Sequence, residues 1–413
     1  MRALTWHGTH DVRMETVDDP EIINPRDAII KVTSTAICGS DLHLYDGVIP
    51  GVLSGDILGH EFMGEVVETG PKSNLKNGQR VVVPFTISCG CCFHCGIEQY
   101  SCCSNSNPAE KQDMSATLYG HAMAGLFGYS HLTGGYSGGQ AEYVRVPYSD
   151  IGPIVVPDHL DDDEVLFLSD ILPTGWMGAE NADIQPDDTV AVWGCGPVGL
   201  FAIQSALAMG AAQVIAIDHF PHRLELARKL GAKIVNFRET DVREALMEMS
   251  GGIGVDAVID AVGMEAHGFA IDNILDVVKQ TVGIGADRAS ALKQAILAVR
   301  RGGRVSIPGV YGGMTDKFPL GALMEKGLQV RAGQTHVQKY TKDLLAKIED
   351  GSLDTTFLIS HRLPLEDAAE GYRNFHDKQN EWTKVVLKPG MESSDSQAKQ
   401  AGSSAKAREK QDA

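Results

Sequence analysis

From residue 1 to about residue 157, apolar and polar positions alternate in short runs broken by glycine and proline. The runs at 29–37, 62–68, 80–83 and 141–146 carry the period of two that marks half-buried antiparallel strands. From about residue 171 the pattern changes. Compact apolar runs are followed by stretches of helical period: 189–193 then 197–209, 213–217 then 222–230, and 255–261 then a long helical stretch. Further strand-like runs stand at 304–307 and 329–332. Strand–helix alternation at this spacing predicts a parallel, doubly wound sheet. Beyond residue 334, two helical patterns (336–349 and 365–375) and a strand (383–388) close the ordered part. Residues 391–413 are rich in Ser, Ala, Lys and Gln and lack apolar periodicity, so they read as a disordered tail. The chain carries no internal repeat.

Composition narrows the picture. At 413 residues the chain is long enough for two domains, and 43% apolar with 22% charged residues is ordinary for a globular protein. A formal charge of −18 with no basic cluster argues against nucleic acid and anionic membrane partners. No run approaches the ~18 apolar residues of a membrane span, and the first residues lack a signal-peptide core. A cytoplasmic protein is expected, and in that compartment eight cysteines fit metal ligation better than disulfides.

The densest chemistry lies between Ala36 and Gly70. A thiol (Cys38), a hydroxyl (Ser40), two imidazoles (His43, His60) and two carboxylates (Asp41, Glu61) follow a strand-like run. Cys and His are ligands that Zn²⁺ prefers. Taken singly, Cys38 or His60 reads as a core residue; the joint pattern reverses that reading and points to a site. Residues 89–103 hold a second concentration, from which Cys89, Cys92, Cys95 and Cys103 make C-x2-C-x2-C-x7-C. Such steps place sulfurs for a closed tetrahedron around zinc. Cys91 or Cys102 can replace a neighbour in that register, and a disulfide knot or redox switch is the alternative. Gly194, Gly196 and Gly199 form G-x-G-x-x-G, with Pro197 and Val198 opening a helix directly after a strand. That context predicts a dinucleotide site with the pyrophosphate on the helix N-terminus. The next strand ends in Asp218, placed to accept both ribose hydroxyls and to repel a 2′-phosphate, which favours NAD over NADP. Arg223 is a contrary signal, because an Arg there could serve a 2′-phosphate, and it reads also as part of a solvated helix face.

C-G-S-D-L-H followed by G-H-E-x2-G-x5-G resembles the zinc-dependent medium-chain alcohol dehydrogenase family. The resemblance covers residues 1–389 and implies an α/β architecture. A GroES-like, β-rich catalytic domain (1–170 and 335–390) carries a structural zinc lobe at 89–103. A Rossmann coenzyme domain, a doubly wound parallel sheet, spans 171–334. It further implies Cys38 and His60 as catalytic zinc ligands, Asp41 as the partner orienting His60, and Glu61 as a carboxylate able to approach the metal. Ser40 and His43 would begin and end a proton relay, Arg223 would assist the adenosine ribose, and Lys384 matches a pyrophosphate contact. A surface lysine is the alternative for Lys384.

The family's usual third catalytic ligand is cysteine; here L-S-D-I-L-P-T-G-W places Asp170 there. Without the family register Asp170 reads as a helix N-cap or turn residue. With G-G-Q-A-E-Y-V at 138–144 and V-P-Y-S-D at 146–150, the resemblance narrows to the glutathione-independent formaldehyde dehydrogenase and formaldehyde dismutase branch. It implies two zincs per chain, NAD, a small alcohol or aldehyde substrate and a homo-oligomer. A general primary or aromatic alcohol dehydrogenase is the alternative enzyme. A catalytically silent nucleotide-binding protein of the same fold is the non-enzyme alternative. Finally, 38 residues separate Gly263 from Gly302, roughly a dozen more than a crossover needs. Part of 264–290 is expected to cover the adenine end of the cofactor and slow its exchange.

Overall fold

The computed structural model describes residues 1–108, 112–265, 289–312, 317–377 and 382–392. The chain divides into two compact units. One comprises Met1–Phe85, Gly125–Leu166 and Ile359–Ala413; the other comprises Thr86–Ala124 and Phe167–Leu358.

In the first unit, β1 (Arg2–Gly8) and β2 (Asp11–Thr16) form an antiparallel hairpin. The long strand β3 (Ala28–Ile37) leads into a short helix, α1 (Gly39–Tyr45). It pairs antiparallel with β4 (Phe62–Thr69), which pairs with β5 (Arg80–Val83). Two further strands, β6 (Tyr143–Val146) and β7 (Ile154–Val155), add to β3 and β5. The C-terminal half of β3 is buried on both faces, so the chain reaches Cys38 from rigid, enclosed backbone.

The second unit begins its sheet after α2 (Ile171–Asn181). Strands and helices then alternate: β8 (Thr189–Trp193), α3 (Pro197–Ala208), β9 (Gln213–Asp218), α4 (Pro221–Lys229), β10 (Lys233–Asn236), α5 (Val242–Met249) and β11 (Val255–Asp260). After residues outside the description come α6 (Ser290–Ala298), β12 (Val299–Ile307), α7 (Leu320–Glu325), β13 (Gln329–Ala332) and α8 (Val337–Glu349). The six strands are parallel in the order β10-β9-β8-β11-β12-β13. This is the doubly wound 3-2-1-4-5-6 arrangement, whose order reverses between β8 and β11. Ala191, Ile215, Val258, Leu246 and Ile296 are among the buried residues of its core. Its central strands read as continuous apolar runs because helices cover both faces. Strand β12 starts earlier than the expected 304, because Arg300, Arg301 and the Gly302–Gly303 pair disguise its first half.

The chain returns to the first unit as β14 (His361–Pro364), α9 (Ala368–His376) and β15 (Val385–Lys388). These complete a sheet of order β14-β15-β3-β4-β5-β7, with β6 also on β3. Tyr372 and Phe375 of α9 pack with Leu4, Ile37, Leu42, Leu44 and Leu387 in the core of this unit. Burial of side chains of this size stabilises by about 1.5–3 kcal/mol each.

The unit boundaries differ from the expected 170 and 335. Residues 86–124, which include the cysteine-rich stretch, belong to the second unit, and so do 335–358. Side chains tie the two pieces together. Ser101 Oγ donates to Gln334 O at 2.8 Å, and Gln338 Nε2 donates to Thr86 O at 2.7 Å. The expected cover over the adenine end falls almost wholly in 266–288, outside the described residues, as does the tail beyond 392.

Candidate active site

Cys38 turns the chain from β3 into α1 in extended conformation (φ −105°, ψ 160°). Its N–H donates to Asp41 Oδ2 at 2.9 Å, so Asp41 fastens the first turn. The other oxygen, Asp41 Oδ1, lies 2.9 Å from His60 Nδ1. A carboxylate on Nδ1 fixes the imidazole tautomer and leaves Nε2 for a metal. The ligand atoms of Cys38, His60 and Glu61 lie within 4.8 Å of one another, and all three residues are buried. Burial, with the Glu61 charge second, pushes the Cys38 thiol up to about 11, against the pull of Lys384 and His60. Ser40 and His43 share one face of α1 by their spacing of three; Ser40 is half-buried and His43 buried.

Asp41 has further support. Gln140 Nε2 donates to Asp41 Oδ2 at 3.4 Å and to Ala36 O at 3.0 Å. Gln140 Oε1 in turn accepts from the Tyr372 hydroxyl at 2.8 Å. A polar chain therefore runs from α9 through Gln140 and Asp41 to His60, entirely inside the first unit. Glu61 is held by Lys384, whose Nζ lies 2.7 Å from Oε1 and 2.6 Å from Oε2. Both side chains are 0% exposed.

Asp170, in the second unit, occupies the N-cap position of α2 and is buried. Its carboxylate does not cap the helix. It accepts instead from the Thr174 hydroxyl at 2.8 Å, and Thr174 Oγ1 lies 2.8 Å from Thr335 Oγ1.

In the cysteine-rich stretch the sulfurs of Cys89, Cys92, Cys95 and Cys103 all lie within 4.8 Å of one another. Cys92 and Cys95 approach to 3.5 Å, Cys89 and Cys95 to 4.0 Å, and Cys92 and Cys103 to 4.0 Å. Tetrahedral zinc at a Zn–S distance of 2.3 Å needs sulfur separations of about 3.8 Å. Backbone amides point at the cluster: Cys89 N–H donates to Cys103 Sγ at 3.3 Å and Cys91 N–H to Cys89 Sγ at 3.5 Å. Burial opposes ionisation of Cys92, but hydrogen bonds from Cys95 and Ser104 bring its thiol down to about 5. Cys91 and Cys102 are exposed and stand outside this group of four.

The glycine loop joins β8 to α3. Gly194 adopts φ +86°, and a Cβ on Gly199 would sit 1.8 Å from Gly194 O. Only glycine at 199 lets the helix start this close to the strand end. Pro197 is the first helical residue, with Val198 behind it, and Gly196 is the cap. Asp218 ends β9 beside this loop. Its Oδ2 accepts from Cys195 N–H at 2.7 Å, and Oδ1 accepts from His219 and Phe220 N–H at 2.6 and 3.0 Å. The Arg223 guanidinium lies over the Phe220 ring, 4.8 Å from its centroid.

Two family descriptions match the chain: "Alcohol dehydrogenase GroES-like domain" over residues 24–158 and "Zinc-binding dehydrogenase" over residues 197–281. An uncharacterized zinc-type alcohol dehydrogenase-like protein of Bacillus subtilis, AdhB, is 41% identical over 94% of this chain and 100% of its own length. This chain belongs to the zinc-dependent medium-chain alcohol dehydrogenase family. Among its relatives, the formaldehyde dismutase of Pseudomonas putida is 33% identical over 94% of this chain and 98% of its own. The solved alcohol dehydrogenase TADH from Thermus sp. ATN1 superposes with a TM-score of 0.79 at 36% identity, covering 94% of this chain and 100% of that one.

Two alternative readings for this dehydrogenase need correcting. Lys384 is no surface lysine: its ammonium is enclosed and paired with Glu61. Arg223 is no part of a solvated helix face, since it is 7% exposed and its Nη1 would lie 3.8 Å from a Cβ on Gly196. Sequence reasoning also missed residues. Gln140 stood in a quoted motif without a role; its signal is an amide between strand residues just after a glycine pair. Tyr372 gave no signal, because an aromatic on the apolar face of α9 looks like any core residue. Buried Asp260 at the end of β11 was missed too: half-buried Tyr311 donates to its Oδ2 at 2.6 Å, and burial raises the Asp260 pKa.

Proposed function

We propose that this dehydrogenase transfers a hydride between a small alcohol or aldehyde hydrate and NAD, with formaldehyde in the absence of glutathione as its candidate substrate. The observation that carries the reading is the buried grouping of Cys38, His60 and Glu61, with Asp41 set on the far nitrogen of His60. Zinc, when bound, supplies a Lewis acid for the substrate oxygen, and NAD supplies the hydride acceptor. Cys38, His60 and Asp170 hold the catalytic metal in this reading; one thiolate, one imidazole and one carboxylate leave a fourth position open. The carboxylate donates less charge than the thiolate usual in the family, so the metal site is the more acidic. Burial of Asp170 and its hydroxyl partner Thr174 suit a ligand whose second oxygen is oriented.

Asp41 holds His60 in the metal-binding tautomer. Ser40 and His43, one turn apart on α1, accept and pass on the substrate proton. Glu61 stands beside Cys38 and His60 while Lys384 neutralises it. The amides of the 194–199 loop and the start of α3 bind the pyrophosphate. Asp218, already anchored by three backbone amides, faces the ribose hydroxyls and disfavours a 2′-phosphate. Cys89, Cys92, Cys95 and Cys103 hold a second, structural zinc with no open position, for which their spacings and amide donors are suited. The exposed edge strand β13, with Leu320 and Met324 exposed nearby in sequence, supports a homo-oligomer; light scattering of the purified protein tests it.

The deciding experiment is a substrate screen with purified protein, followed by NADH absorbance, that includes formaldehyde without glutathione. Formate and NADH formed together support the reading. Turnover of primary or aromatic alcohols with no turnover of formaldehyde favours the second reading, a general alcohol dehydrogenase, to which the likeness to TADH points. Formate and methanol produced in equal amounts without net NADH identify a dismutase. Absence of turnover with every alcohol and aldehyde would leave a silent nucleotide-binding protein. Asp218→Gly should raise the NAD KM by about tenfold to a hundredfold, the worth of hydrogen bonds to a charged group, and narrow the gap to NADP. An unchanged NAD/NADP ratio would remove Asp218 from the ribose.

A further inference from the structure

One cluster of metal-ligating side chains lies outside everything assigned above. His10 sits at the β1–β2 turn, Asp46 closes the C-terminal end of α1, and His376 is the last residue of α9. All three belong to the first unit. His10 Nε2 lies 3.0 Å from Asp46 Oδ1, and His376 Nε2 lies 3.1 Å from the same oxygen. One ligand atom from each residue falls within 4.8 Å of the others, and solvent reaches all three side chains.

The chemistry of the donors is selective. Two imidazole nitrogens and a carboxylate oxygen bind zinc at 2.0–2.2 Å, and a tetrahedron with such bonds has edges of about 3.3–3.6 Å. The observed 3.0 and 3.1 Å separations need to open by only a few tenths. The second nitrogen of His376, Nδ1, lies 2.9 Å from Asp377 Oδ1. That carboxylate fixes the tautomer with Nε2 unprotonated, the same device that Asp41 provides for His60. The local field also suits a cation. Around Tyr45 the charges of Asp377, Asp46 and Asp11 oppose that of Arg373, with Asp11 itself paired to Arg13. The C-terminal end of α9, where His376 stands, adds partial negative charge.

We propose that His10, Asp46 and His376 form a binding site for a borderline divalent transition metal such as Zn²⁺, with Asp377 as the positioning carboxylate and water completing the coordination. Imidazole donors exclude Mg²⁺ and Ca²⁺, which take oxygen ligands. The site joins three elements. Two of them also reach the buried Asp41: α1 carries it directly, and α9 supports it through Tyr372, one turn before His376. Tyr45 packs among these groups, with its ring 5.0 Å from His10, 5.5 Å from Tyr372 and 5.7 Å from His376 between centroids. An ion here clamps the outer ends of the two helices whose inner residues hold the candidate active site.

The test uses the full chain with its tightly held metal retained. Wild-type protein, His10→Gln and His376→Gln are dialysed against zinc chloride or magnesium chloride, and bound metal is counted by plasma emission spectrometry. The wild type is expected to take up one more zinc per chain than either variant, and no extra magnesium. Asp377→Asn should weaken that extra zinc by about tenfold to a hundredfold without abolishing it. Added zinc should raise the Tm of the wild type and leave that of His10→Gln unmoved. Equal zinc uptake by wild type and both glutamine variants would overturn the site, and so would uptake of magnesium in its place. None of these readouts depends on turnover, so failure of the dehydrogenase reading leaves the result interpretable.

Discussion

Two cysteine-bearing clusters in this protein are built by opposite means. The four cysteines of 89–103 come from fifteen consecutive residues and are oriented largely by backbone amides of the same stretch. Cys38 and His60 come from segments 22 residues apart and are oriented by side chains. Asp41 is local to Cys38, but the side chains behind it and behind Glu61 arrive from far along the chain: Gln140, Tyr372 and Lys384. Amide donors lower the Cys92 thiol to about 5, whereas burial raises the Cys38 thiol to about 11. The local cage supplies donors of its own, which lower Cys89 and Cys92, while burial still raises the Cys95 and Cys103 thiols. An enclosed thiol with carboxylates nearby is stabilised as thiolate only by a cation. The first arrangement suits a structural ion and the second a working one.

Substitutions separate the two clusters. The largest effect is expected from Cys38→Ser and Asp170→Ala. Each should reduce turnover below detection and remove one zinc per chain, with the far-ultraviolet circular dichroism unchanged. Two zincs retained in both variants would dissolve the ligand assignment. Lys384→Met comes next. It removes the buried ammonium that faces the Glu61 carboxylate, a change worth about 3–5 kcal/mol. Chemical denaturation should show the loss, and adding Glu61→Gln should recover much of it. If the single variant is as stable as wild type, Lys384 is not the enclosed partner of Glu61.

Cys92→Ser should act on the other cluster alone. Zinc content should fall by one and Tm by several degrees, at about 2–4 °C per kcal/mol for a unit of this size. Metal at Cys38 should remain. If zinc and Tm are unmoved, Cys91 replaces Cys92 in the register. Smaller still is Gln140→Ala, which takes one donor from Asp41. Loss of such an outer partner weakens metal affinity or activity by about tenfold to a hundredfold. Chelator challenge should strip zinc from this variant faster than from wild type. Tyr372→Phe, one bond farther out, should cost about 1 kcal/mol of stability and little activity. Equal effects of Gln140→Ala and Tyr372→Phe on zinc retention would contradict a chain that weakens with distance.

What was legible in the amino-acid order was whatever is local. The strand–loop–helix glycine signature, the C-x2-C spacing and the alternation of apolar runs each span a few residues. Their periods follow from backbone geometry, so β8, α3, β9 and the cysteine cage could be read directly. The partition of 86–124 and 335–358 into the second unit could not. It depends on hydrogen bonds between residues more than two hundred positions apart. The first half of β12 was hidden for a related reason: V-R-R-G-G has no strand-like composition, and of it only Val299 is paired, with distant Val255, before the register shifts to Arg304. Lys384, Gln140 and Tyr372 show the same limit at the site. A buried lysine, an amide and a core tyrosine carry no pattern of their own, and only their distant partners, Glu61 and Asp41, give them roles. The local code therefore determined which candidate groups for a nucleotide and metals this protein possesses. Tertiary packing alone decided which buried charges meet, because desolvation makes each of them depend on a partner that the order of residues does not name.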